Sequence, residues 1–376
     1  MIKKAGAPLM KRVFNLVAMG GLLTVGLAAG YDATAQTAPI KIGVPGPMTG
    51  AEASYGDAMV KGAQIAVDEA KGLNIELDVQ DDACDPQVGV NAVNKLVADG
   101  VAMVVGFHCS GAALPSLPIL HRNHIPVIVS QALHPTITQQ GFPEVFRTIS
   151  TSAQEAPAAA DYLTKIWEAK SVVLVHDNTA IQKNLADVTA THIKTAGAKV
   201  LSETAVTPHT TEFGVTVADI ISKKPDAVFL VLYYPEGALL AKQLLAAGYQ
   251  GHLLSADAGV DPGFIKIAGE DVAEKVVFVT QPVTNQLPAA KAFITAYKAK
   301  FGQEPGALSA YTYDAMTVAL KVLKETGSTD PEKLIAKLKA YKGDGISGPI
   351  EFDSHGQLLA STFVALNVKN GEFVEP

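Results

Sequence analysis

VVGFHCSGAALP, residues 104–115, joins an apolar run that stops at Gly106 to a helix-like segment that opens near Ser110. A short β-rich run, a turn and an amphipathic segment make the repeating unit of an α/β fold, and the chain repeats that unit on both sides. Upstream, IKIGV (40–44) reads as a strand. YGDAMVKGAQIAVDEAK (55–71) reads as a helix with Ala58, Met59, Gly62, Ile65, Ala66 and Ala70 at helical spacing. NIELDVQ (74–80) and VAMVVG (101–106) are strands that flank the helical PQVGVNAVNKLVAD. Downstream, a helix from about Ser110 to Arg122 leads into IPVIVS. Strands this apolar are expected to be buried on both faces, as in a doubly wound parallel sheet.

A second series of similar size follows. SVVLVH (171–176), KVLSETAV (199–206), DAVFLVL (226–232) and HLLSA (252–256) are strands separated by helical patterns. Residues 289–341 return to helix, and the tail 348–368 is strand-rich around a turn at Asp353–Gly356. The fold class read from this pattern is α/β, with two doubly wound parallel-sheet lobes. A ligand then belongs in the crevice at the C-terminal ends of the strands.

The chain has 376 residues and a formal net charge of −7. Lys3, Lys4, Lys11 and Arg12 precede an uncharged apolar stretch at 13–29, and Ala33-Thr34-Ala35 has the small-x-small form of a cleavage site. Residues 1–35 therefore read as a secretory signal peptide. A transmembrane anchor is the alternative, but the stretch is short for one and no basic stop-transfer run follows. Losing those four cations leaves the chain more acidic, with no Lys/Arg cluster. Nucleic acid and an anionic membrane surface are thus excluded as partners, and a soluble monomer is expected.

The two cysteines, Cys84 and Cys109, each follow an apolar strand-like run. Export sends them to an oxidising compartment, and neighbouring parallel strands would bring their C-terminal ends together, so a disulfide is expected. Pairing removes the activated thiolate that a catalytic cysteine needs, and His108 becomes a pocket or surface residue rather than a base. The sequence has no P-loop, no convincing dinucleotide fingerprint, no Gly-x-Ser-x-Gly elbow and no His-Glu-x-x-His. His121-x-x-His124 lacks an evident third metal ligand, and His176–Asp177 reads as a loop hydrogen bond before it reads as a dyad. An enzyme is not expected, nor a cofactor, nor a metal.

Six segments then carry a resemblance: YGD (55–57), DDACDP (81–86), GFHCS (106–110), VHD (175–177), YYPE (233–236) and GPIEFDSHG (348–356). On these, the chain resembles the leucine/isoleucine/valine-binding proteins of ABC transporters, periplasmic proteins of the type I binding fold, over essentially its whole mature length. The resemblance implies the Cys84–Cys109 disulfide and a periplasmic location. It implies lobe I at 39–151 and 281–347, and lobe II at 152–280 and 348–376, joined by a three-strand hinge. It also implies a small-molecule ligand, an amino acid or related carboxylate, gripped by cleft closure and delivered to a membrane permease.

Residue by residue, Ser110 opens a helix whose hydroxyl, N–H and dipole converge on an anion such as a ligand carboxylate; a plain helix start is the alternative. Asp257 falls where the family holds the ligand ammonium with a longer Glu. Tyr233 matches a tyrosine that reaches the same group, and Tyr55 and His108 match positions lining the side-chain pocket. Gln131, Ala132, Leu133 and Ile181 complete the set, and three of them depart from the family. Leu133 replaces a threonine hydroxyl, with Gln131 or Ser130 expected to supply the lost bond. Gln131 stands where a small residue presents its backbone, and Ile181 replaces a tyrosine that packs over the ligand. The expected ligand is an aliphatic amino acid. The departures keep open an aromatic or other apolar carboxylate or amide, and a ligand sensor without transport shares the fold.

Overall fold

The computed structural model describes residues 38–376. The expected signal peptide and its cleavage site lie outside the described residues. The first sheet contains β1 (Ile40–Gly46), β2 (Ile75–Asp81), β3 (Met103–Gly106), β4 (Val127–Val129) and β5 (Val145–Arg147). It is parallel throughout, in the order β2-β1-β3-β4-β5. Met103, Val104 and Val105 have no exposed surface, because helices cover both faces, as the unbroken apolar run predicts.

The second sheet is built from β6 (Ser171–His176), β7 (Lys199–Ala205), β8 (Ala227–Val231), β9 (His252–Ser255) and β10 (Val276–Thr280). These run parallel in the order β7-β6-β8-β9-β10. A small hairpin of β11 (Lys342–Gly345) and β12 (Gly348–Glu351) follows. The tail then adds β13 (Val364–Lys369) antiparallel to β10, and β14 (Glu372–Val374) antiparallel to β13. The strand-rich tail is therefore an antiparallel margin on an otherwise parallel sheet. Among the parallel strands, β5 and β10 lie outside the series read from sequence.

The chain leaves the first sheet after β5 and enters the second. It returns after β10 to supply the helix Ser309–Thr326, whose Ala315, Met316 and Ala319 pack with Ile42 and Val44 of β1. The last change of sheet falls between Leu358 and Val364, later than the expected boundary at 347/348. Ile350, Phe352 and Leu358 are buried in the first core with Phe146 and Tyr341, and Phe352 meets Phe146 edge-on at 5.2 Å. The β11–β12 hairpin thus completes the first lobe's core.

A buried cluster joins the two sheets where their C-terminal ends meet. Tyr55, Cys109 and Leu133 come from the first, and Ile181, Tyr233 and Ala258 from the second. Across this seam the Tyr55 hydroxyl donates to the Ala258 carbonyl at 2.5 Å, and the Tyr234 hydroxyl donates to the Ala51 carbonyl at 2.6 Å. The Ser54 hydroxyl donates to Asp261 Oδ2 at 2.8 Å. The lobes are closed on one another. Among the described residues no helix is long and apolar enough to cross a membrane.

Candidate functional site

The first wall of the cleft grows from the end of β3. A Cβ at Gly106 would stand 2.5 Å from the Pro45 carbonyl oxygen, so only glycine lets β3 end this close to β1. Phe107 follows in the left-handed region at φ +63°, donating its N–H to Pro45 at 2.8 Å. A bulky residue is held there only when its surroundings over-determine it. The turn delivers His108, Cys109 and Ser110 to the seam.

Cys109 is bonded to Cys84, with Cα atoms 5.2 Å apart. The strands before them are not neighbours as expected: β2 and β3 flank β1 on opposite sides. The DDAC segment closes that gap. Ala83 and Cys84 both take positive φ, and their N–H groups donate to Asp81 and Asp82, each at 2.9 Å. The bridge therefore arches over the end of β1 and removes Cys109 as a nucleophile.

Ser110 is buried at the first residue of the helix Ser110–Arg122. Its Oγ accepts the His134 N–H at 3.2 Å, which leaves the hydroxyl hydrogen as a donor. Beside it, Gln131 does not take over the bond missing at Leu133. Its Nε2 donates to the Leu308 carbonyl at 3.2 Å and to Thr312 Oγ1 at 3.0 Å, and its Oε1 lies 2.9 Å from His108 Nδ1. Ser130 Oγ is likewise engaged, accepting from Thr312 at 3.1 Å. The Ala132 carbonyl accepts from Arg147 Nη1 at 3.1 Å, and the Leu133 carbonyl from the Ser152 N–H at 3.0 Å. These groups stiffen the wall.

The opposite wall comes from the second sheet. Tyr233 caps the helix Tyr234–Ala246 and is buried, with its ring centroid 6.0 Å from that of His108. Ile181, near the start of the helix Ala180–Thr195, is buried in the same cluster. Asp257 opens a short 3₁₀ turn, Asp257–Gly259, and is not alone. Its N–H donates to Glu155 Oε1 at 3.0 Å. Glu155 is fully buried in the first turn of the helix Ser152–Asp161, fixed by the Thr151–Gln154 capping box. Sequence reading missed Glu155, and that capping box is the signal that places it in the first turn. Burial pushes the Asp257 carboxyl up to about 6. Burial, and then Asp257, hold Glu155 well above the usual carboxylate range.

One residue links the two walls. Tyr55 lies flat on His108, centroids 3.9 Å apart, while its hydroxyl reaches Ala258, next to Asp257. The loop that carries His108 and the turn that carries Ala258 therefore both meet Tyr55 at the seam. Burial also pushes the His108 imidazole down to about 4, so it is neutral at ordinary pH.

At the rim, a cavity of about 190 Å³ is lined by Glu52, Gly111, Asp177, His209, Tyr233 and Glu236. Asp177 is pushed to about 6, first by burial and also by Glu236, and accepts from Thr179 N–H and Oγ–H at 2.9 and 2.7 Å. That is the loop role expected of the His176–Asp177 pair. Among the described residues, Glu52, His209 and Glu236 form the group with metal-ligand chemistry, their donor atoms within 4.8 Å of one another. The His121 and His124 pair does find a carboxylate partner. Glu144 lies 2.8 Å from His121 Nδ1 and 3.5 Å from His124 Nδ1.

Two parallel-sheet lobes closed over a buried seam of aromatic and carboxylate groups define a bilobal binding protein. Residues 39–372 match the family of periplasmic binding proteins, and the chain belongs to that family. A leucine-, isoleucine-, valine-, threonine- and alanine-binding protein of Pseudomonas aeruginosa is 30% identical over 361 residues, 94% of each chain. The leucine-binding protein LivK of Thermotoga maritima superposes with a TM-score of 0.84 at 30% identity, covering 90% of this chain and 97% of that one. The branched-chain amino acid substrate-binding protein LivJ of Streptococcus pneumoniae, in complex with isoleucine, gives 0.81 at 26% identity over 90% and 100%. An ABC-transporter solute-binding protein of Rhodopseudomonas palustris, in complex with 3,4-dihydroxybenzoic acid, gives 0.81 at 26% over 90% and 95%.

Proposed function

We propose that this protein is the extracytoplasmic solute-binding component of an ABC-type amino-acid uptake system, and not an enzyme. It grips an amino acid of the leucine, isoleucine and valine kind by cleft closure and hands it to a membrane permease. The observation that supports this reading is the seam itself, where Tyr55 bridges the His108 loop of one lobe and the Ala258 turn of the other, beside the buried Glu155–Asp257 contact. A helix start at Ser110 suits a carboxylate, and the Glu155/Asp257 carboxylates suit an ammonium. Tyr233 closes the ammonium side, while Tyr55, His108, Leu133 and Ile181 form the apolar body. The protein acts as a periplasmic monomer after removal of residues 1–35, with the first lobe, which includes the β11–β12 hairpin, moving against the second.

A second reading is an apolar carboxylate without an amino group. Leu133 favours it, since it removes a hydroxyl contact, Ile181 adds to the apolar lining, and the relative that holds a dihydroxybenzoic acid points the same way. Calorimetric titration with leucine, isoleucine and valine, and in parallel with benzoate, separates the two. Binding of the amino acids supports the first reading; binding of benzoate alone selects the second.

A further inference from the structure

Thr312 determines which way a side-chain amide points, and the amide in turn determines the proton on an imidazole. The Thr312 hydroxyl donates to Ser130 Oγ at 3.1 Å, so its oxygen is free to accept, and it accepts from Gln131 Nε2 at 3.0 Å. The second Nε2 hydrogen goes to the Leu308 carbonyl, an obligate acceptor, at 3.2 Å. The Gln131 amide cannot be flipped without setting its oxygen against that carbonyl. Its Oε1 therefore faces His108 Nδ1 at 2.9 Å, and a carbonyl oxygen only accepts. The hydrogen must sit on Nδ1.

A neutral imidazole with its hydrogen on Nδ1 has a bare lone pair on Nε2. His108 is 7% exposed, and its Nε2 is buried without a hydrogen-bond partner among the described residues. Buried acceptors in this condition are rare and costly. The ring is held in the seam between the lobes, stacked on Tyr55 and facing Tyr233. It cannot turn away without losing both the stack and the Gln131 bond.

We propose that His108 Nε2 is a specificity-determining acceptor, and that the cognate ligand carries a hydrogen-bond donor, a hydroxyl or amide N–H, on the part that enters the apolar body of the cleft. The inference rests on the amino-acid reading proposed above and revises its side chain, from a purely aliphatic one to one that carries a donor. A site built to hydrogen-bond a ligand hydroxyl rejects the analogue that lacks it.

Three matched pairs test it by calorimetry on the purified protein: L-threonine against L-valine, L-tyrosine against L-phenylalanine, and 4-hydroxybenzoate against benzoate. In any pair that binds, the hydroxyl member should bind at least about fivefold more tightly. In H108L, which keeps the bulk and removes the acceptor, that preference should vanish or reverse, with folding checked by circular dichroism. Equal or tighter binding of the hydroxyl-free member to the wild type overturns the inference without touching the amino-acid reading, and this comparison needs no variant. A preference that survives in folded H108L overturns it too. If none of the six binds, this inference falls, and titration with leucine and isoleucine decides the proposed function separately.

Discussion

The ring of Tyr55 lies on the imidazole of His108 with centroids 3.9 Å apart, and its hydroxyl crosses to the carbonyl of Ala258 at 2.5 Å. One side chain thus reports on both lobes: the stack belongs to the first, and the hydrogen bond forms only when the second is in place. Tyr55→Phe keeps the stack and removes the bond, at a cost to the closed form of about 1 kcal/mol, so amino-acid binding should weaken roughly fivefold. Tyr55→Ala removes both and should weaken it further. Calorimetry on the two variants checks the order; equal affinities for wild type and Tyr55→Phe would mean that the bond does not contribute to closure.

The two poles should differ in what they tolerate. Asp257→Asn leaves Glu155 and an amide facing the ligand ammonium, and should cost about 2–5 kcal/mol of amino-acid affinity. Ser110→Ala removes one donor to a charged carboxylate, and should cost about 1.5–3 kcal/mol. Neither should change the binding of a ligand that does not reach its pole, which comparison of leucine with its des-amino acid analogue would reveal.

Proton linkage gives a prediction with two opposite signs. The Asp257 carboxyl, raised by burial to about 6 from an ordinary 3.8, stabilises the ligand-free fold in its protonated form. That contribution is full below the unfolded value and is lost as pH rises through about 6. An ammonium-bearing ligand prefers the ionised form, so its affinity should be level above about pH 6 and fall by up to about tenfold per unit below it. Urea unfolding and calorimetry across this range, on wild type and Asp257→Asn, should show both trends in the first and reduced ones in the second, where Glu155 and Asp177 are still raised by burial. Amino-acid affinity that holds level on acidification would count against an ionised partner.

The Cys84–Cys109 bridge closes a separation of 25 residues, which on the loop-entropy account contributes about 3.5 kcal/mol. Reduction, or the double Cys→Ser variant, should lower the urea midpoint and loosen the turn that carries His108 and Ser110. Affinity should therefore fall together with stability. A protein that loses neither would show that the tight DDAC turn holds that loop unaided.

Much of this architecture is written locally. The apolar runs that become β1 to β4 and β6, β8 and β9 are bounded by turn residues, and their buried strands announce themselves. The tail at 348–358 misleads, because Phe352 finds its partner, Phe146, two hundred residues upstream, and no local pattern encodes that contact. β10 carries a legible VVFVT run, whereas β5, three residues long, does not. The rule that ligands gather at strand ends points to the loops that carry His108, Ser110, Tyr233 and Asp257, because chain direction alone determines where strand ends lie; the choice of His108, Tyr233 and Asp257 within them, and of Tyr55, comes from the family resemblance. Glu155 and the internal use of Gln131 are another matter. One is a carboxylate in an alanine-rich helix whose burial depends on packing against Asp257. The other depends on Thr312, far along the chain, reaching the same wall.

The most direct measurement is a calorimetric titration of the wild type and of Asp257→Asn with leucine, isoleucine, valine and threonine, beside benzoate and 3,4-dihydroxybenzoate. Saturable one-to-one binding of at least one amino acid, lost or strongly weakened in Asp257→Asn, is the predicted result. Binding confined to the two benzoates, or amino-acid binding indifferent to the change at residue 257, would contradict the account.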